Sequence, residues 1–227
     1  MVCKKVMSFF KKIKLWLLKP FRFEKLDSFL KNRGSLILDV GCGNQSPTKT
    51  KEYYPSCEYH GLDCIPDYNN KDGDLKNCDR FWLVNLENSD EMNKIPNGTY
   101  DVVIFSHVIE HLYQGDAVVR YLVQKLKKGG VIYIETPSQK SLKLPSMKGT
   151  LNFYDDKTHV KCWSPQELNA AVTEAGCEIF ESKVRRHWKR ILLTPMYLLG
   201  GVILGKSLAT SLWDILGAAY YVVAVKK

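Results

Sequence analysis

Two groups of residues in this 227-residue chain have the types and spacing to do chemistry. The first is L-I-L-D-V-G-C-G-N at 36–44, with Asp63 twenty residues beyond Gly43. An apolar run that breaks at Gly41 and Gly43 reads as a buried strand entering a turn. Gly41 permits a tight or left-handed backbone there, and Gly43 lets a ligand approach the main chain. Asp63 closes the next predicted strand, where a carboxylate can accept hydrogen bonds from both hydroxyls of an unmodified ribose. Asp39, just before the turn, can receive an amino group or organise the loop through its N–H groups. Gln45 and Ser46 follow where a pyrophosphate-binding turn would carry its third glycine, so the dinucleotide fingerprint is incomplete.

The second group is S-H-V-I-E-H-L at 106–112. If that segment is helical, His107, Glu110 and His111 share one face at i, i+3 and i+4, and His159 from T-H-V could join them. Imidazoles with a carboxylate suit zinc, iron or magnesium. The same residues could instead supply a general base, His111 or His159, for an acceptor hydroxyl, or hydrogen bonds around a bound nucleoside. Tyr154, Asp155 and Asp156 stand with His159 just before a predicted helix, placed for a loop that closes over an acceptor. Tyr154 could position that acceptor or shield a cation. Cys42 and Cys64 have no basic neighbour in sequence and read as passive, and His187 reads as a rim residue among basic side chains.

These residues need a scaffold, and the hydrophobic pattern supplies one. Strands are expected at 35–40, 58–62, 81–86, 100–105, 131–135, 178–184 and 220–225. A helix over 117–127 follows from Val118, Tyr121, Leu122 and Leu126, with Lys127 to Gly130 ending it. Ser164, Pro165 and Glu167 form a capping box with proline at the first helical position, opening a helix that Gly176 ends. Strands alternating with helices indicate an α/β sheet and not a β sandwich.

Apolar residues make up 45% of the chain and charged ones 25%, which excludes a wholly disordered chain or one built mostly of membrane spans. The net charge of +9 is concentrated: residues 1–33 hold ten Lys/Arg against Glu24 and Asp27, a net of +8. The remainder carries 23 basic and 22 acidic side chains, so nucleic acid is not the expected partner. Seven scattered cysteines with no C-x-x-C pair fit reduced thiols in the cytoplasm. Lysines interrupt the N-terminal apolar stretch and no cleavage site follows, so a signal peptide is not expected.

Val6, Phe9, Phe10, Ile13, Trp16 and Leu17 gather on one side of a helical wheel, with lysines at its flanks and back and Pro20 as a stop. Residues 1–30 therefore read as a basic amphipathic arm on a main domain at 31–227. Fifteen residues from Ile191 to Gly205 lack charge before Lys206 and Asp214 intervene, too short a run for a bilayer span of about 20 residues. They suit an apolar lid or insertion at about 185–217. The arm at 4–19 and the segment 185–216 could lie on an anionic membrane, at its inner face, or could bury one another.

Taken in order, L-I-L-D-V-G-C-G-N, Y-H-G-L-D at 59–63, Y-D-V-V-I-F-S-H-V-I-E-H-L at 100–112, L-K-K-G-G-V-I-Y-I-E-T-P at 126–137 and T-H-V-K-C-W-S-P-Q-E-L at 158–168 resemble a class I S-adenosylmethionine-dependent methyltransferase. The branch most resembled is that of small-molecule and quinone O-methyltransferases. The resemblance implies a Rossmann-like α/β fold with a seven-stranded, mostly parallel sheet in the order 3-2-1-4-5-7-6, strand 7 antiparallel. It also implies S-adenosylmethionine as cofactor, with methionine and ribose around Asp39, Gly41, Cys42 and Gly43. Asp63 would meet the ribose hydroxyls, Asn85 and Leu86 the adenine, and Ser106 and His107 the methionine side. His111, His159 and Tyr154 are the candidate catalytic residues. The expected reaction is methyl transfer to oxygen of a small, lipophilic or lipid-like acceptor. Two alternatives stay open: a metal-dependent RNA 2′-O-methyltransferase using His107, Glu110, His111 and His159, and a non-catalytic membrane-associated module.

Overall fold

The computed structural model describes residues 13–30, 34–66, 73–205 and 207–227. Lys4, Val6, Phe9, Phe10, Lys11, Lys12 and Lys206, on which part of the arm and insertion readings rests, lie outside the described residues. Seven strands form one sheet in the order β3-β2-β1-β4-β5-β7-β6. They are β1 Leu36–Val40, β2 Glu58–Asp63, β3 Arg80–Leu83, β4 Tyr100–Ser106, β5 Leu126–Pro137, β6 Cys177–Val184 and β7 Ala219–Lys226. β7 runs antiparallel to both β5 and β6, and the other neighbours are parallel. The expected α/β fold and strand order are those observed.

Apolar runs form these strands because both faces of the sheet are covered. In β1, Leu38 and Val40 enter one core while Ile37 enters the other, and β4 divides Val103 and Phe105 from Val102 and Ile104 in the same way. Helices α4 (Gly115–Lys125) and α5 (Pro165–Glu174) cover the first face. Helix α1 (Phe21–Leu30) covers the second through Phe21, Phe23, Leu26 and Leu30, so these residues, grouped with the arm by sequence, pack in the core. Helix α2 (Ser46–Tyr53) follows the β1 turn and α3 (Ser89–Met92) precedes β4. The Ser164–Glu167 capping box opens α5 with both reciprocal hydrogen bonds made.

Two boundaries differ from the sequence reading. β3 stops at Leu83, three residues before the expected end, because the Asn85 N–H turns to the Glu91 carboxylate at 2.7 Å. Lys127 to Gly130 belong to β5 and do not cap α4. Gly129 at φ 76° sits where the register against β4 shifts, and a Cβ on Gly130 would lie 2.9 Å from the Lys127 carbonyl, so the glycine pair serves a bulge.

Topology dictates where the apolar insertion emerges. Pro137 at the end of β5 pairs with Ala219 at the start of β7, and Val184 at the end of β6 pairs with Tyr220. The chain between β6 and β7 must therefore leave and return at the edge where the parallel strands end, the usual ligand edge of such sheets. It folds as two helices, α6 (Trp188–Ile203) and α7 (Ala209–Leu216). Arg185, buried at the root of this hairpin, bonds Glu135 of β5 at 2.6 Å and Asp214 of α7 at 3.0 and 3.2 Å. Both carboxylates are buried. Replacing Arg185 by Met leaves Asp214 with only Arg190, at 3.9 Å, and Glu135 with only His107. The expected loss is about 3–5 kcal/mol of unfolding free energy, read from the denaturant midpoint against wild type.

Candidate functional site

A cavity of about 660 Å³ opens at the carboxyl ends of the parallel strands. Each strand end contributes: Gly41 and Asn44 after β1, Asp63 at the end of β2, Asn85 and Leu86 beyond β3, Ser106 and His107 at β4, and Pro137 at β5. Thus Gly41 and Asp63, the pair on which the nucleoside reading depends, share one cavity large enough for a nucleoside.

The β1 turn explains the glycine. Gly41 has φ 72°, its N–H donates to the Leu62 carbonyl at 2.8 Å, and a Cβ there would meet Val108 at 2.3 Å. Both the backbone conformation and the space exclude a side chain. Asn44 and Gln45 take left-handed conformations, φ 57° and 62°, in place of a glycine-rich continuation. Asp63 already accepts the Ile65 N–H at 3.1 Å and, as a carboxylate, retains acceptor capacity for ribose hydroxyls.

Three expected cofactor residues do not line the cavity: Asp39, Cys42 and Gly43. The Asp39 carboxylate points into the core, where it accepts hydrogen bonds from the hydroxyls of Ser46 and, at 2.7 Å, Tyr59. Burial raises its pKa. Its place is to hold the turn from below. Cys42 packs against Gly61 of β2, and burial pushes its thiol well above the ordinary range. Asn85 lies at the cavity with its side-chain oxygen engaged by the Glu87 N–H at 3.0 Å.

The segment 107–112 is not the continuous helix that would align His107, Glu110 and His111. His107 has φ 55°, and only Ile109–His111 forms a 3-10 turn. His107 is instead held between two carboxylates, Nδ1 3.2 Å from Glu110 and Nε2 3.0 Å from Glu135. With both ring nitrogens so engaged, His107 is withdrawn from the expected metal set. Burial would lower its pKa, but the bonds to Glu110 and Glu135 outweigh that and hold it up at about 9. Burial favours a neutral Glu135, yet Arg185 and His107 hold that carboxyl well below its usual range. Trp213 of α7 lies beside the His107 ring, centroids 5.0 Å apart.

Glu110, His111 and His159 do come together, offering ligand atoms that all lie within 4.8 Å of one another. Their tautomers follow from their partners. His159 Nδ1 lies 2.6 Å from the Phe153 carbonyl, which can only accept, so Nδ1 carries the proton and Nε2 the lone pair. The Thr158 hydroxyl donates to Asp156 at 2.6 Å and therefore accepts from His111 Nδ1 at 2.9 Å, again leaving Nε2 basic. Tyr154 is 63% exposed and is not among the cavity residues. Its neighbour Phe153 takes that place, because Asp155 gathers the N–H groups of Met147, Leu151 and Asn152 and turns the loop.

Several cavity residues carry no sequence signal of their own. Trp213 reaches the site from α7, its indole N–H fixed on the Thr150 carbonyl at 2.9 Å. Leu151, Ala209 and Ala218 form a small separate core that joins the 144–151 loop to α7. A second cavity of about 310 Å³ adjoins the first at Ser106, His107 and Trp213. Arg22, Lys49, Glu135, Arg185, His187 and Arg190 line it. Buried there, Arg22 Nε and both ring nitrogens of His187 make no hydrogen bond among the described residues; His187 Nε2 lies 3.4 Å from Glu24, out of alignment. His187 is thus a buried residue and not the rim residue expected.

A family model described as a methyltransferase domain matches residues 18–182. The chain belongs to that family. As a member it is an S-adenosylmethionine-dependent methyltransferase, and the cradle at Gly41 with the Asp63 carboxylate fits the nucleoside of that cofactor. Solved structures share the fold at low identity. An S-adenosylmethionine-dependent methyltransferase from Mesorhizobium loti is 16% identical with a TM-score of 0.63, covering 92% of this chain and 100% of that one. One from Archaeoglobus fulgidus is 20% identical with a TM-score of 0.55, covering 90% and 91%. A phosphoethanolamine N-methyltransferase from Haemonchus contortus, solved with S-adenosylhomocysteine, is 13% identical with a TM-score of 0.58, covering 93% of this chain and 56% of that one. No curated protein matches the sequence.

Two outcomes test the methyltransferase site. Asp63→Ala weakens S-adenosylmethionine binding at least about tenfold by calorimetric titration, since charge-assisted ribose contacts are lost; equal affinity would refute the contact. His107 has a folded-state pKa raised above its unfolded value near 6.5. Its stabilising share is therefore full below about pH 6.5 and lost as pH rises through about 9. The share is on the order of 3 kcal/mol. Unfolding free energy of the wild type minus that of His107→Gln should shrink across this window, and a flat difference rejects the imidazolium.

Proposed function

We propose that this methyltransferase acts on an oxygen of a small lipophilic acceptor, with His159 or His111 taking the acceptor proton. The observation that carries the reading is the pair of imidazoles whose Nδ1 protons are committed to Phe153 and Thr158, leaving two basic Nε2 atoms in the cofactor cavity. S-adenosylmethionine, when bound, supplies a methyl group activated by the sulfonium. The protein's share is to align the acceptor and to remove its proton. Gly41, Asn44 and Asp63 hold the nucleoside, and Leu86 and Val84 offer apolar walls for the base. Arg22 in the adjoining cavity has an unpartnered buried Nε suited to the cofactor's carboxylate. Leu112, Leu151, Phe153 and Trp213 give the acceptor side an apolar lining, which supports a lipophilic substrate over a polar one.

A second reading shares the residues. Glu110, His111 and His159 could hold a divalent ion that polarises the acceptor oxygen in place of a base. It does not favour RNA, because the main domain is nearly neutral.

S-adenosylhomocysteine release over a panel of phenols with and without apolar tails tests both. His159→Gln and His111→Gln should lower kcat by about 10²–10⁴ for whichever residue is the base, with S-adenosylmethionine affinity unchanged. Full activity after chelation supports the base, whereas loss restored by one metal ion moves the assignment to the second reading. Turnover on amines or RNA and on no phenol rejects the acceptor class.

A further inference from the structure

Helix α6 is amphipathic in the wrong sense for a helix facing water. Its buried positions are Lys189, Thr194 and Gly201. Its outward stripe is Trp188, Leu192, Met196, Leu199, Val202 and Ile203, each between 56% and 71% exposed. These recur at helical spacing on one face, and no charge falls between Ile191 and Ile203. Helix α7 buries itself against the 144–151 loop, whereas this face of α6 stays open.

An independent feature adjoins it. Residues 13–17 are helical, with Ile13 and Trp16 exposed, and Leu18 just beyond is exposed too. The Trp16 ring packs edge-on to Trp188 at 6.0 Å between centroids. Lys189 donates to the Trp16 carbonyl at 2.9 Å and also pairs with Glu24 of α1, fixing the arm, α6 and the main domain to one another. The apolar residues Trp16 and Leu18 thus extend the stripe of α6, and the sequence of residues 1–33 carries a net charge of +8. An apolar face bearing Trp16 and Trp188, next to the exposed Lys14 and a lysine-rich sequence, has the chemistry of the lipid–water boundary, where indole rings settle and lysines meet phosphate.

We propose that α6 and residues 13–18 dock on an anionic bilayer, with α6 lying in the interface plane and its stripe among the acyl chains. The helix has sixteen residues, about 24 Å in length, short of a hydrocarbon core of about 30 Å. No helix among the described residues is long and apolar enough to cross a membrane, so the mode is lying on, not spanning. Leu17, Leu18, Arg190 and Tyr197 come from the docking elements and also line the second cavity, so that cavity opens beside the membrane. This would deepen the lipophilic-acceptor reading, on which the docking itself does not depend.

The test uses the full chain, floated with vesicles of phosphatidylcholine alone or mixed with phosphatidylglycerol. Wild type should float with the mixed vesicles, and raising salt should weaken its recovery. Leu192→Glu/Leu199→Glu should lower the vesicle partition coefficient at least about tenfold. Both sites are exposed and outside both cavities, so S-adenosylmethionine affinity should stay unchanged and report that the variant is folded. Wild type that stays unbound, or a folded double variant that floats equally well, overturns the proposal. So does a dimer in sedimentation velocity that the same variant dissociates with no vesicle binding, because the face would then belong to a second copy. Vesicle binding without turnover on any lipophilic acceptor would keep the docking and reject the acceptor reading.

Discussion

A buried chain of alternating charges orders this molecule: Glu110, His107, Glu135, Arg185 and Asp214, each in contact with the next. It runs from the turn after β4 through β5 to the root of the β6–β7 hairpin and into α7. Desolvating five ionisable groups is costly, and the arrangement is tolerable only because each charge faces an opposite one at hydrogen-bond distance. Such a chain contributes less to net stability than to uniqueness, since any misplacement strands a buried charge. Here it fixes His107 in a left-handed conformation that few residues adopt without support.

That fixation partitions the ligand edge. His107 and Trp213 stand between a larger cavity bearing Gly41 and Asp63 and a smaller one lined by Arg22, Lys49, Arg185 and Arg190. Because Asp214 is tied to Arg185 and Trp213 to the Thr150 carbonyl, α7 and the 144–151 loop form one wall. Division of labour follows. The strand ends line one side of the larger cavity, and the hairpin with its loop lines the other.

The strand ends were legible because their determinants are local. Buried strands read as apolar runs, Gly41 announces a conformation other residues avoid, and Asp63 is placed by the length of one strand–helix–strand unit. The Ser164 capping box is equally local. What local reasoning misplaced depended on long-range partners. Spacing put His107 with His111 on a helix, but Glu135, twenty-eight residues away, draws the imidazole aside. Asp39 could have faced ligand or core, and Tyr59 on the neighbouring strand together with Ser46 decides for the core. Tyr154 and Phe153 are indistinguishable as loop aromatics until Asp155 sets the turn. Trp213 gave no signal, since only the antiparallel return of β7 brings residues beyond 200 to the ends of β1 and β4.

That return also explains how an apolar hairpin can sit on this scaffold without disturbing it. A chain segment between β6 and β7 touches the sheet only at the edge where the parallel strands end, so its outer surface is free of packing demands while its inner surface lines the cavities there. In α6 the inner side carries Lys189, bonded back to Glu24 and the arm, and Arg190, which reaches the Thr210 carbonyl of α7. Polar groups are spent on attachment, which leaves apolar residues outside. A helix so built has no internal use for its stripe, and its composition must answer to whatever lies beyond the protein's surface.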